Sequence, residues 1–180
     1  MTKPQLDEYN AYYQRYTSLV PEGDILAILA SQWTETRALL SSIPESRGTY
    51  RYTPQKWSIK EVLGHLIDSE RIFTYRALRI SRGDITPLPG FEQDDYARNA
   101  GSDAVSLASL IEELDAVRRA TILLFQHMSP EATGRRGTAS GNAISVRALA
   151  WIVAGHELHH REVLKSKYLA SPAREAGMRN

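Results

Sequence analysis

The chain has 180 residues, 42% hydrophobic and 24% charged, which suits one soluble globular domain with a sizeable core. Its 22 basic and 21 acidic residues nearly cancel, to a formal net charge of +1, so composition offers no basic face for nucleic acid. There is no cysteine, which excludes disulfides, thiolate metal ligands and a cysteine nucleophile.

The opening stretch MTKPQLDEYNAYYQRY lacks the apolar run of a secretory signal. No segment approaches the ~18 apolar residues of a membrane span. A cytoplasmic location without a membrane partner is therefore expected. An aromatic lead-in carries Tyr9, Tyr12, Tyr13 and Tyr16. The first long helical period runs from about Asp24 to Ile43, with Ile25, Leu26, Ile28, Leu29, Trp33, Thr36, Leu39 and Leu40 at helical spacing. The second opens at Trp57-Ser58-Ile59-Lys60-Glu61-Val62, where Ser58 and Glu61 form a capping box, and it stops at Gly83. The third runs from about Ser102 to Met128 and the fourth from about Ser145 to Leu169. The connections ITPLPGFEQDDYARNAG and SPEATGRRGTASGNA read as loops, and apart from a weak GTYRYT no stretch alternates like a strand. Four amphipathic helices with no sheet to pack on predict an all-α four-helix bundle preceded by a short lead-in segment.

The fourth helix contains His156-Glu157-Leu158-His159-His160, a match to H-E-x-x-H. At ~100° per residue, His156 and His160 fall within the stripe formed by Val146, Leu149, Ala150, Val153, Leu164 and Tyr168, whereas His159 turns toward the polar flank. Two inward imidazoles one turn apart are satisfied together by one metal ion. On the second helix His65 lies on the shoulder of the stripe. Glu70 lies inside that stripe, where it is expected either to pair with an arginine such as Arg76 or to serve the site. Trp151 lies opposite the histidine stripe, so it is expected either at a dimer surface or beneath the N-terminal segment.

A metalloprotease is excluded by the residues downstream of the motif. A third ligand in the metzincin pattern needs glycine at position 163 and histidine at 166, where the chain has Val163 and Ser166. The remaining carboxylate downstream, Glu175, sits too close in a Pro/Gly-rich tail. A di-metal carboxylate bundle needs a second Glu-x-x-His to match Glu157 and His160, yet Glu61 precedes His65 by four residues rather than three. The reading left standing is a mononuclear site with His65, His156 and His160 as ligands. Three imidazoles leave positions for water or substrate, as in a catalytic metal site. Glu157 is a candidate base or an anchor for an imidazole N–H. Arg135 and Arg136 are candidates for meeting an anionic substrate, or solvated loop residues. Zinc, nickel, iron and manganese all accept such a donor set.

The stretches WSIKEVLGHLIDSERIFTYRALRISRGD, PLPGFEQDDYA and ASGNAISVRALAWIVAGHELHHREVLKSKYL, in that order, strongly resemble the DinB-like (DinB/YfiT-like) metalloprotein family. The resemblance runs from about 9 to 169 and implies one DinB-like domain over 1–180. It implies a four-helix bundle, commonly dimeric, with one divalent metal held by one histidine of the second helix and two of the fourth. Those positions are His65, His156 and His160. It further implies a metal-dependent transfer of a low-molecular-weight thiol to an electrophile or a thiol-dependent isomerisation, with metal-dependent hydrolysis as the alternative. Apart from the resemblance, a non-catalytic, metal-stabilised stress-response or interaction module is the remaining reading.

Overall fold

The computed structural model describes residues 1–170; Glu175 lies outside them. In chain order the helices are α1 (Gln14–Thr17), α2 (Ile25–Ser41), α3 (Ile59–Ser81), α4 (Gln93–Asn99), α5 (Leu107–Gln126), α6 (Pro130–Gly134) and α7 (Val146–Val163). The four long ones, α2, α3, α5 and α7, form the bundle. Helix α3 packs on α7 and α5, and α2 packs on those same two neighbours, so the order around the bundle is α2-α5-α3-α7.

Each long helix starts where a side chain caps it. Asp24 accepts from Ala27 N, Ser58 from Glu61 N, Ser106 from Ser109 N and Ser145 from Ala148 N. On α3 the expected capping box is complete, since Glu61 returns a bond to the Ser58 amide. The expected third helix starts later than its periodicity suggests. Ser102–Ala104 form a separate 3₁₀ turn, and Ser106 then caps α5. Beyond Val163 the helix continues as a π-helix over Leu164–Leu169.

Both connections read as loops contain regular structure. The first holds α4. The second holds α6 and an antiparallel hairpin of β1 (Arg136–Ala139) and β2 (Asn142–Ser145). Ser140 and Gly141 both take positive φ, 51° and 74°, as a tight two-residue hairpin turn requires. Four-residue strands are too short to show alternation, which is why periodicity missed them. GTYRYT, in contrast, forms no strand.

The interior is divided. One apolar cluster gathers Leu29, Phe73, Ile80, Phe125 and the first half of α7; the other gathers Trp33, Leu40, Leu63, Ile67, Leu110, Leu114, Leu164 and Tyr168. Between them a layer of buried polar residues crosses the bundle, with Gln32 on α2, Ser69 and Glu70 on α3, Arg118 on α5, and His156 and Glu157 on α7.

The N-terminal lead-in folds over α7. Burial opposes ionisation of Glu8, but Arg147, the Gln5 amide and Ser145 outweigh it and hold the carboxyl down at about 2. Trp151 is fully buried, with the Lys3 ammonium 5.4 Å from its ring, so it lies beneath the N-terminal segment and forms no exposed dimer surface. A β-carbon on Gly155 would stand 2.1 Å from the Tyr16 carbonyl oxygen, so only glycine lets α1 lie this close to α7.

Candidate metal centre

The polar layer separates into two unlike halves on either side of α7, and adjacent residues His156 and Glu157 lead into them. On the histidine side, His65, His156 and His160 each offer a ring nitrogen, and the three nitrogens lie within 4.8 Å of one another. His65 Nε2 and His156 Nε2 are 3.0 Å apart. Two nitrogens bound to one tetrahedral ion at ~2.0–2.1 Å would stand about 3.3 Å apart, so the pair has nearly the required edge. A hydrogen bond between them would satisfy this pair alone. His160 Nδ1 is buried without a hydrogen-bond partner among the described residues. The donor set therefore fits a divalent ion better than a set of internal hydrogen bonds.

Packing holds these rings. Trp57 covers His65 at 4.6 Å between centroids, and Tyr16 meets His156 edge-on at 5.2 Å. Ser69 Oγ lies 3.4 Å from His65 Nδ1, where it can accept that N–H and leave the Nε2 lone pair free. Burial disfavours the charged imidazoles, and neighbouring rings add repulsion. His65 is pushed down to about 4, His160 to about 3 and His156 well below its ordinary value. All three are neutral near pH 7, the form that ligates metal. His159 is half-buried, with its ring 5.1 Å from that of His160, and stands outside the converging set as the helical wheel expects.

On the other side, Arg118 is 1% exposed and binds Glu70 through two parallel bonds of 2.9 and 2.8 Å. Its Nη1 donates to Glu157 Oε2 and to Leu29 O. Gln32 Nε2 adds a 2.5 Å bond to the same Glu157 oxygen. Glu70 thus pairs with Arg118; the expected partner Arg76 instead donates to Pro89 O and Ser140 Oγ. Glu157 is 2% exposed and lines neither open cleft beside the histidines, so its carboxylate is placed as a partner of Arg118. Arg118 and Gln32 were missed from sequence although each interrupts an apolar stripe, Arg118 between Leu114 and Phe125 and Gln32 between Leu29 and Thr36. Arg135 bonds Ser81 O and Glu131, and Arg136 bonds Asp7, so neither borders the histidines.

Two clefts open on the cluster. One, of about 370 Å³, reaches His65 and His156 past Tyr13, Phe73, Arg76 and Phe91. The other, of about 630 Å³, reaches His159 and His160 past Trp57, Lys56, Arg98 and Tyr168. Gln93 and Asp94 at the start of α4 border both.

The sequence pattern of the DinB superfamily matches residues 28–164, and the chain belongs to that superfamily. No curated protein matches the chain. Among solved structures it is similar to YfiT from Bacillus subtilis, a probable metal-dependent hydrolase with an unusual four-helix bundle topology. That likeness has a TM-score of 0.68 at 12% identity and covers 91% of each chain. The mycothiol-dependent maleylpyruvate isomerase matches at TM-score 0.67 and 12% identity over 81% of this chain, which spans 61% of the isomerase. A DinB-like protein from Bacillus subtilis matches at TM-score 0.59 and 19% identity, covering 84% of this chain and 94% of that one. At such identities the likeness establishes the four-helix fold. No helix among the described residues is long and apolar enough to cross a membrane.

Proposed function

We propose that His65, His156 and His160 hold one divalent metal ion and that the protein is a metal-dependent thiol S-transferase. The observation that carries this reading is the convergence of three neutral imidazoles where two separate clefts meet. A bound divalent ion would supply Lewis acidity, lowering the pKa of a thiol or water placed in an open coordination position. The chain's own contribution is to present three unprotonated nitrogens, fixed in orientation by Trp57, Tyr16 and Ser69. The two clefts favour transfer over hydrolysis because each of two organic reactants then has its own approach. The metal dependence ascribed to YfiT and the mycothiol dependence of the isomerase support metal and thiol chemistry respectively.

The test is elemental analysis of untagged protein, followed by a screen of low-molecular-weight thiols with electrophiles. About one divalent ion per chain and metal-dependent thiol consumption, both lost in His65→Ala, are the expected result. Ester cleavage without thiol consumption would replace transfer by hydrolysis. Metal-free protein after reconstitution would leave an interaction module.

A further inference from the structure

Three cations are buried among the described residues: Lys60, Arg76 and Arg118. Lys60 pairs with Glu45, and Arg118 with Glu70 and Glu157. Arg76, 2% exposed, has no ion pair with a carboxylate among the described residues. Its guanidinium donates from Nη2 to two neutral acceptors, Pro89 O at 2.7 Å and Ser140 Oγ at 3.1 Å. The neutral Tyr13 hydroxyl also interacts with it, and the Phe91 ring centroid lies 6.0 Å away. Buried charge without a counterion is costly, so a guanidinium kept in this state points to an anion that arrives from outside.

The surroundings say which anion. Arg76 lines the smaller cleft together with His65 and His156. Eleven residues separate His65 from Arg76 on α3, which brings them back to within about 20° on the helix wheel and separates them by about 16 Å of rise. Arginine side chains on a helix lean toward its N-terminus, here toward His65. Tyr13, Phe73 and Phe91 wall the space between, and Ser140, held in the hairpin turn at positive φ, fixes one end of the guanidinium. A volume of about 370 Å³ admits a small molecule and no folded partner. Glu92 and Asp94, both exposed, border the same cleft and would repel a dianion such as a phosphate monoester. A planar monoanion suits the guanidinium fork.

We propose that Arg76 is the anion-recognition residue of the smaller cleft and that its ligand is a small carboxylate with an apolar or aromatic body. The carboxylate lies on Arg76 and the opposite end points to the histidines. That last clause rests on the metal reading above; the anion site itself does not.

Calorimetric titration with 4-phenylbutyrate and with its neutral amide, on metal-stripped and zinc-loaded protein, tests it. Wild type should bind the acid at least tenfold more tightly than the amide. Arg76→Met should remove that preference, Arg76→Lys should retain part of it, and Arg98→Met in the other cleft should leave it unchanged. Equal binding of acid and amide by wild type, binding of neither, or loss of preference in Arg98→Met would overturn the proposal, and the wild-type comparison needs no variant to fold. Zinc content measured on the same samples separates the two readings. Acid preference in protein that takes up no zinc keeps the anion site and removes the metal centre. Zinc uptake without acid preference does the reverse.

Discussion

The two halves of the polar layer differ in how far they are closed off and in how they are satisfied. Gln32, Glu70, Arg118 and Glu157 are all buried, whereas the histidines open on two clefts and His160 is half-buried. Around Arg118, two carboxylates, an amide and a backbone carbonyl converge, and every guanidinium nitrogen has an acceptor. Around His156, three imidazoles face one another, and His160 Nδ1 has no hydrogen-bond partner among the described residues. An ion-paired network joins α3, α5 and α7, although Gln32 Oε1 and Glu157 Oε1 are buried without a hydrogen-bond partner among the described residues. The histidine cluster instead offers three neutral nitrogens within 4.8 Å of one another, the donor set of the proposed metal site. The contrast teaches that neither burial nor an orphaned polar atom identifies a site; convergent neutral donors at the floor of an open cleft do.

The sharpest way to break this contrast is at the histidines. His156→Ala and His160→Ala are each expected to reduce bound metal from about one ion per chain to under about a tenth, since each removes one of three ligands. Full occupancy in either variant, read by elemental analysis, would count against the three-histidine site and remove that histidine from the ligand set.

Arg118→Met should leave Glu70 and Glu157 as unpaired buried charges and cost about 3–5 kcal/mol in denaturant unfolding. A loss under about 1 kcal/mol would mean that water or another cation reaches these carboxylates. Glu157→Gln keeps the shape and should leave metal content intact. Loss of turnover with metal retained would return Glu157 to the role of a base.

Acid should act through the histidines. An unfolded imidazole titrates near 6.5, whereas burial holds His65 at about 4 and His160 at about 3. Between those values the unfolded chain binds protons that the folded chain refuses, so stability falls as pH falls. Metal-free protein should keep its full melting temperature above pH ~6.5 and lose it progressively toward pH ~4, more steeply than His65→Leu. Parallel profiles for the two proteins would remove His65 from the linkage.

Gly155→Ala should push α1 off α7 at a cost of about 1–3 kcal/mol, because the new methyl meets backbone rather than a movable side chain. The smallest effect is expected for His159→Ala, with metal content nearly unchanged. A loss comparable to His160→Ala would mean that His159 belongs to the ligand set.

Much of this organisation is decided locally and was therefore legible in the chain. Ser58 with Glu61, and Ser145, start helices by bonding their own first turns, whereas the cap at Ser106 was hidden behind the 3₁₀ turn at Ser102–Ala104. A 3.6-residue period then places His156 and His160 on one inward face without reference to any partner. His65 was reachable because its helix carries an equally clear stripe. The hairpin and α4 were not, because elements of four to seven residues carry too little period to read. Their existence depends on contacts such as the Leu88 bridge to Ala139. Nor could the sequence choose among partners for Glu70. Arg76 is nearer along the chain, but α5 brings Arg118 to it across the bundle, and the hairpin turn claims Arg76. Capping and periodicity are properties of consecutive residues, so sequence alone determined the helices and their inward faces. Which buried charge finds a partner is set by how helices dock across tens of positions, and only the tertiary structure decided that.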